Sequence, residues 1–290
     1  MTDVPVREGS VAFGAQRTWF RIVGELTPRP PLICVHGGPG STHHYFAPLE
    51  QLAERGRGVI LYDQVGCGGS SRPRASDLSL RLFIDELANL RERLAIERAH
   101  LLGTSWGGML AIEYALTRPA GLLGLVLSST LASSRSWADE ARRLRDEMPG
   151  AARRALVEGV PGDRDYERAE RAFFDRHVCR RGVTPEIERM LEGGGRYGYE
   201  ELWGPNEWTM TGTLAGWDVR GRLAELQVPV LITAGRHDLC TPAIIRELRD
   251  GLPHARTATF ERSSHMPFLE EPDTYREVLS GFLDEVDADL

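Results

Sequence analysis

The chain has no lysine. All 35 of its Lys-plus-Arg positions are arginine, set against 42 Asp and Glu, for a formal net charge of −7 over 290 residues. A chain of that sign offers no broad cationic face to a nucleic-acid partner, and arginines spread through the whole length read as compositional habit rather than as a phosphate site. Cysteine is scarce, and Cys34, Cys67, Cys179 and Cys240 form no C-x-x-C pair. Cys34 falls in an apolar run and Cys67 in a glycine-rich stretch, so free thiols in a reducing cytosol fit better than a disulfide framework. The first residues hold no apolar core of a secretory leader, and no segment approaches the roughly 20 apolar residues of a membrane span. There is no internal repeat and no low-complexity tract. The expectation is a cytoplasmic protein with neither a membrane nor a nucleic-acid partner.

What is present suits one large α/β domain with an insertion, since 290 residues at 41% hydrophobic content can build a sizeable core. Up to about Gly24 the alternation predicts an antiparallel hairpin, with Phe13, Trp19 and Phe20 as packing residues. Strands are expected at 32–35, 59–62, 100–104 and 123–128, with helices near 46–54 and 80–94. This alternation predicts a mostly parallel, doubly wound sheet. After Ser129 the pattern changes to Arg- and Glu-rich helical spacing, as at 137–148 and 165–177. We read residues 131–226 as a helical cap inserted between core segments 1–130 and 227–290, its charge runs being mostly solvated helix faces. Of Phe173, Phe174, Tyr197, Tyr199, Trp203, Trp208 and Trp217, most are expected in the cap core and the rest on the walls of an apolar pocket. Gly193-Gly194-Gly195 reads as a hinge or loop whose motion admits substrate. The sheet resumes at Val228, and the chain closes with a helix over 273–286.

The most informative stretch is Gly103-Thr104-Ser105-Trp106-Gly107-Gly108. It follows the apolar run His100-Leu101-Leu102 and opens a helix-like segment from Met109 to Leu116. Strand, G-x-S-x-G turn and helix, in that order, make the nucleophile elbow of the α/β-hydrolase fold. Glycines flank the serine because the turn is strained and leaves little room for side chains. Ser105 then stands at a helix N-terminus, where the dipole favours developing negative charge. A serine is a weak nucleophile until a base takes its proton and an acid orients that base, and in this fold the chain order is Ser, Asp or Glu, His. Asp238 sits just past the apolar strand ending at Gly235, and His265 just past the strand Ala258-Thr259-Phe260. These two are the candidates, on the sheet edge that also carries Ser105. His237 reads as a loop histidine. His36 and His43 or His44, which precede Ser105, read as structural or pocket-lining. His36-Gly37-Gly38-Pro39-Gly40 directly follows the strand at 32–35, so the oxyanion hole is assigned to the amide of Trp106 and an amide near Gly38. Two-step acyl transfer on these residues needs no metal and no organic cofactor.

These motifs carry a resemblance. HGGPG at 36–40, DQVGCGGS at 63–70 and GTSWGG at 103–108 resemble the proline iminopeptidases, serine peptidases of the α/β-hydrolase fold, and the resemblance runs nearly end to end. Gly204-Pro205-Asn206-Glu207-Trp208, on through Trp217-Asp218, resembles especially the tricorn-interacting aminopeptidase and amino-acid-amide hydrolase branch. The resemblance implies release of one N-terminal residue, proline-like or otherwise small and apolar, from short peptides or amino-acid amides. It also implies that Glu207 binds the substrate α-ammonium, with Gly37, Trp208 and Tyr199 as further substrate-binding candidates. One departure stands out. In that branch the catalytic aspartate is commonly followed by a glutamate that shares the ammonium, whereas here Leu239 follows Asp238. A buried ammonium needs compensating charge, and Glu200 or Glu201 is a candidate replacement. The departure also keeps open a second expectation, the same machinery acting on an ester, a lactone or a biosynthetic intermediate without a free amine.

Overall fold

The computed structural model describes residues 4–289. Eight strands form one sheet in the order β1-β2-β4-β3-β5-β6-β7-β8. β1 (Val6–Phe13) and β2 (Gln16–Val23) make the expected hairpin, and β2 pairs antiparallel with β4 (Val59–Asp63). Every pairing beyond β4 is parallel, through β3 (Leu32–Val35), β5 (Ala99–Thr104), β6 (Leu122–Ser128), β7 (Val230–Gly235) and β8 (Arg256–Phe260). The mostly parallel sheet read from the sequence is therefore the one the chain forms.

The central strands are largely apolar and almost wholly buried because both faces of the sheet are covered. Successive side chains serve opposite cores. Ile33, Val35 and Leu101 pack with α1 (Leu80–Arg93) and α2 (Trp106–Leu116), while Leu32, Cys34 and Leu102 pack with the closing helix Pro272–Ala288 on the other face. α2 is buried at every residue but Glu113, the signature of a helix enclosed on all sides. The helix expected at 46–54 is a 3₁₀ segment, His43–Arg55, with Pro48 inside it. A proline there cannot donate the hydrogen bond that a regular α-helix would need.

Between β6 and β7 the chain runs through α3 (Ser134–Asp146), α4 (Gly150–Glu158), α5 (Arg164–His177), α6 (Pro185–Gly193) and α7 (Arg196–Leu202). Among the described residues this stretch adds no strand to the sheet, only the isolated bridges Ser133–Asp218 and Asn206–Thr209. Its outer faces carry i,i+4 ion pairs such as Arg143–Glu147 and Arg171–Asp175, each worth a few tenths of a kcal/mol. The run Gly193-Gly194-Gly195 has a packing reason. Gly68 N donates to Gly193 O at 2.9 Å and Gly195 N donates to Gly40 O at 2.8 Å. A Cβ on Gly195 would stand 2.2 Å from the carbonyl oxygen of Gly66. The inserted helices thus meet the glycine loops of the core backbone to backbone.

Glu86 of α1 is fully buried beneath those loops, where it accepts from Thr18 Oγ1 at 2.6 Å and from Val65 N at 3.0 Å. Burial outweighs both bonds and pushes its carboxyl up from the ordinary 4.5 to about 8. The folded chain therefore holds the proton more tightly than the unfolded chain does. The resulting stability is complete below pH 4.5 and is lost as pH rises through 8. Glu86→Gln is expected to remove this loss and to flatten the fall in stability from pH 6 to pH 9 by about 1–3 kcal/mol. Denaturant melts at the two pH values check it; an unchanged pH slope in the variant would contradict the burial argument.

Candidate active site

Register explains how distant residues converge. Val35 lies opposite Gly103 across β3 and β5, and Gly235 lies opposite Phe260 across β7 and β8. The segments that follow these strands, bearing Gly37-Gly38, Ser105, Asp238 and His265, therefore leave one edge of the sheet. β3 is also where the strand order turns back, with β4 on one side and β5 on the other. Ligands of open α/β sheets bind at the carboxyl ends of strands at such a switch point.

Ser105 occupies φ 54°, ψ −124° at the N-terminus of α2, a backbone region that L-residues rarely adopt and that persists only when the surroundings enforce it. Here they do. Ser105 N donates to Ser128 O at 3.1 Å, and Thr130 Oγ1 donates to Ser105 O at 2.6 Å. A Cβ on Gly107 would sit 2.1 Å from Val35 O, so only glycine lets the helix start this close to β3.

His265 Nδ1 donates to Asp238 Oδ1 at 2.8 Å, and both side chains are buried. Asp238 is itself held, accepting from Cys240 N at 2.7 Å and from Gly235 N at 3.3 Å. With Nδ1–H committed, Nε2 carries the lone pair. Burial pushes the His265 pKa down, but the charges of Asp238, Glu207 and Glu270 and the hydrogen bond donated to Asp238 outweigh it, and the net direction is up. Trp137 packs edge-on against the ring, with centroids 5.7 Å apart. His237 is exposed, and its carbonyl accepts from His177 Nδ1 at 3.3 Å.

Gly38 has φ 112°. Its amide and that of Trp106 make no hydrogen bond to any described residue, whereas the Gly37 amide is taken by the Tyr45 hydroxyl. Trp106 directly follows Ser105 in the chain, and Gly38 lines the same cavity as Ser105.

Ser105 and His265 open into a cavity of about 650 Å³, which Gly37, Tyr199, Glu207 and Trp208 also line. Glu207 accepts from Trp137 Nε1 at 2.9 Å and from the Tyr199 hydroxyl at 2.8 Å. Burial raises its pKa in spite of both bonds, so its charge is poorly solvated. One expectation changes at this point. Glu200 pairs with Arg196 at 2.8 Å, and neither it nor Glu201 lines the cavity; Glu167 and Glu170 of α5 do. They were missed because an i,i+3 acidic pair on a charged helix reads as a solvated face. All seven aromatics named from residues 131–226 pack in or against the apolar core, as expected of most of them, and four of them, Phe173, Phe174, Tyr199 and Trp208, also line the cavity. Leu239 is 2% exposed, packs in the apolar core and does not reach the cavity. His36, His43 and His44 lie outside it as well. Among the described residues no group of three or more His, Cys, Asp or Glu converges as a metal site would, and no helix is long and apolar enough to cross a membrane.

A serine held in a strained strand-to-helix turn, a histidine hydrogen-bonded to a buried aspartate and two free amides together define a serine hydrolase of the α/β type. The comparisons agree. The family described as alpha/beta hydrolase fold matches residues 30–272. The proline iminopeptidase of Lactobacillus delbrueckii subsp. lactis is 43% identical, over 96% of this chain and 98% of that protein. The crystal structure of the proline iminopeptidase of Mycobacterium smegmatis superposes with a TM-score of 0.89 at 38% identity, covering 98% of this chain and 99% of its own. The crystal structure of VinJ superposes at 0.92 with 39% identity, covering 97% and 99%. The chain belongs to the proline iminopeptidase family of α/β-hydrolases.

A general base must be neutral, so kcat/KM is expected to fall as pH drops through the raised His265 pKa. Asp238→Asn removes the charge that raises it. The acid limb should then move to lower pH while kcat falls on the order of 10³–10⁴. A pH–rate profile of the two proteins checks both parts; an unmoved limb would assign the titration to another group.

Proposed function

We propose that the chain is a serine aminopeptidase that releases one N-terminal residue, proline-like or otherwise small and apolar, from short peptides or amino-acid amides. The observation that carries this reading is the Glu207 carboxylate inside the catalytic cavity, fixed by Trp137 Nε1 and the Tyr199 hydroxyl. A desolvated carboxylate is costly unless a cation completes it, and a substrate α-ammonium is such a cation. Anchoring the ammonium there sets how far the first carbonyl reaches toward Ser105, which limits cleavage to one residue.

In this reading His265 Nε2 takes the Ser105 Oγ proton as Oγ attacks the first carbonyl. The amides of Gly38 and Trp106 hold the oxyanion, and Asp238 stabilises the imidazolium. The leaving amine departs with the histidine proton, and water repeats the attack on the acyl-enzyme. Residues 131–226 act as the cap, with Tyr199, Trp208 and Phe173 as walls around the bound residue. The four cysteines are buried and unpaired, which supports a reducing, cytosolic setting and a small-molecule or short-peptide substrate there.

Leu239 favours a second reading, hydrolysis of an ester or lactone without a free amine, because it leaves Glu207 as the one carboxylate held deep in the cavity. Glu167 and Glu170 line the cavity too, but both are exposed, and the charge of Arg196 counters part of the burial that raises Glu170.

Ser105→Ala is expected to cut turnover by about 10³-fold or more. Glu207→Gln keeps the shape and one acceptor oxygen but removes the charge. It should weaken kcat/KM on aminoacyl naphthylamides by about 2–4 kcal/mol and spare a neutral acyl ester of similar size. Equal losses on both substrates would make Glu207 a structural tie. A wild type that turns over esters or lactones and no aminoacyl substrate would favour the second reading.

A further inference from the structure

Gln64 directly follows β4 and does not line the cavity. It is 1% exposed, and the mechanism above does not use it. Its side-chain amide nevertheless touches both residues that flank the proposed oxyanion hole. Gln64 Nε2 donates to the carbonyl of His36 at 2.8 Å, and Gln64 Oε1 accepts from Trp106 Nε1 at 2.8 Å. A single planar amide therefore spans from the loop bearing Gly38 to the first residue of α2.

The backbone of Gln64 extends this hold. Gln64 N donates to His36 Nε2 at 3.0 Å, which makes Nε2 the unprotonated nitrogen and leaves the proton on Nδ1. His36 Nδ1–H then faces the Gly37 carbonyl at 3.0 Å. Burial pushes the His36 pKa down to about 4, so the ring stays neutral and keeps this tautomer at working pH. The Gly37 carbonyl and the Gly38 N–H belong to one planar trans peptide and point in opposite directions. Tethering the carbonyl to His36 consequently aims the Gly38 N–H the other way.

We propose that Gln64 is a positioning residue for the oxyanion hole, holding the Gly38 and Trp106 donors in register with each other through His36 and the Trp106 indole. This rests on the reading that those two amides bind the oxyanion. Oxyanion donors act through preorganisation, and geometry is what a remote hydrogen bond can supply. The loop is pinned from behind as well, because Val65 N donates to both Glu86 oxygens, at 3.0 and 3.2 Å. The amide of Gln64 is thus anchored to the core and is not free to follow the cap.

The test is Gln64→Met, which keeps length and removes both hydrogen bonds, measured on the full chain with an aminoacyl naphthylamide. We expect kcat to fall about 10–100-fold with KM within about threefold. Affinity for an aminoacyl aldehyde, which needs the oxyanion hole to form its tetrahedral adduct, should fall in parallel, while inhibition by the free amino acid product stays unchanged. A folded Gln64→Met with wild-type kcat, or one that loses product and aldehyde affinity equally, would overturn the proposal. Should Gln64→Met not fold, Trp106→Phe deletes only the indole donor and leaves the backbone amide. A drop in kcat of about 3–10-fold with unchanged product inhibition supports the proposal, and an unchanged kcat overturns it. Ser105→Ala run beside them separates the two ideas. If Ser105→Ala stays active, the acyl-enzyme reading fails; if it is inactive and Gln64→Met is normal, only the role of Gln64 fails.

Discussion

Backbone packs directly on backbone where α2 leaves the sheet, and the geometry of the site follows from that contact. Gly107 comes so near the carbonyl of Val35 that no side chain fits between them. The approach forces Ser105 into φ 54°, at a cost of about 1–3 kcal/mol for a non-glycine residue. The surroundings hold it there through Ser128 and Thr130. The same contact brings the end of β3, and so the Gly37-Gly38 loop, beside the first turn of α2. Ser105 and the Gly38 and Trp106 amides, the proposed nucleophile and oxyanion donors, are thereby fixed by one packing event rather than by separate loops. The fully buried α2, with ten of its eleven residues enclosed, makes that event rigid.

The inserted helices are tied into this frame at the glycine loops. Gly195 bonds Gly40, and Gly193 receives a bond from Gly68. The segment that read as a hinge is therefore also the seam between insertion and core. From the other side, Trp137 of α3 contacts both His265 and Glu207. The proposed base and the proposed anchor thus share one aromatic neighbour, so a change at Glu207 reaches His265 by packing as well as by charge.

Much of the candidate site was legible in the sequence because its signals are local. Ser105 announces itself through flanking glycines and a strand-then-helix hydrophobic pattern. Asp238 and His265 follow from being the right residue types just past consecutive strands, and the parallel sheet turns that into proximity. Glu207 was legible only through resemblance, since nothing in GPNEW states which way its carboxylate points. What could not be read depends on which face of a helix meets which cavity. Glu167 and Glu170 share a helix with charged, solvated neighbours, and their spacing is the same whether they face water or the cavity. Phe174 and Tyr197 are likewise indistinguishable by type or spacing, yet Phe174 lines the cavity and Tyr197 packs against Gly66. Gln64 escaped notice for a related reason. Its role lies in contacts 28 and 42 positions away along the chain.

Electrostatics joins the anchor to the base. His265 feels Asp238 through a hydrogen bond and Glu207 through space, and both charges favour the imidazolium against the pull of burial. In the free enzyme this stabilises the protonated and inactive form of the base. Under the proposed reading, an ammonium bound at Glu207 cancels one of these charges and takes proton affinity away from Nε2. The base is then less prone to be protonated before reaction, while Asp238 remains to stabilise the imidazolium once Ser105 gives up its proton. Substrate charge and base readiness are coupled through one carboxylate. A neutral ester, which leaves Glu207 uncompensated, gains no such adjustment. In this chain that coupling falls largely on Glu207, because the residue after Asp238 is a leucine buried in the core.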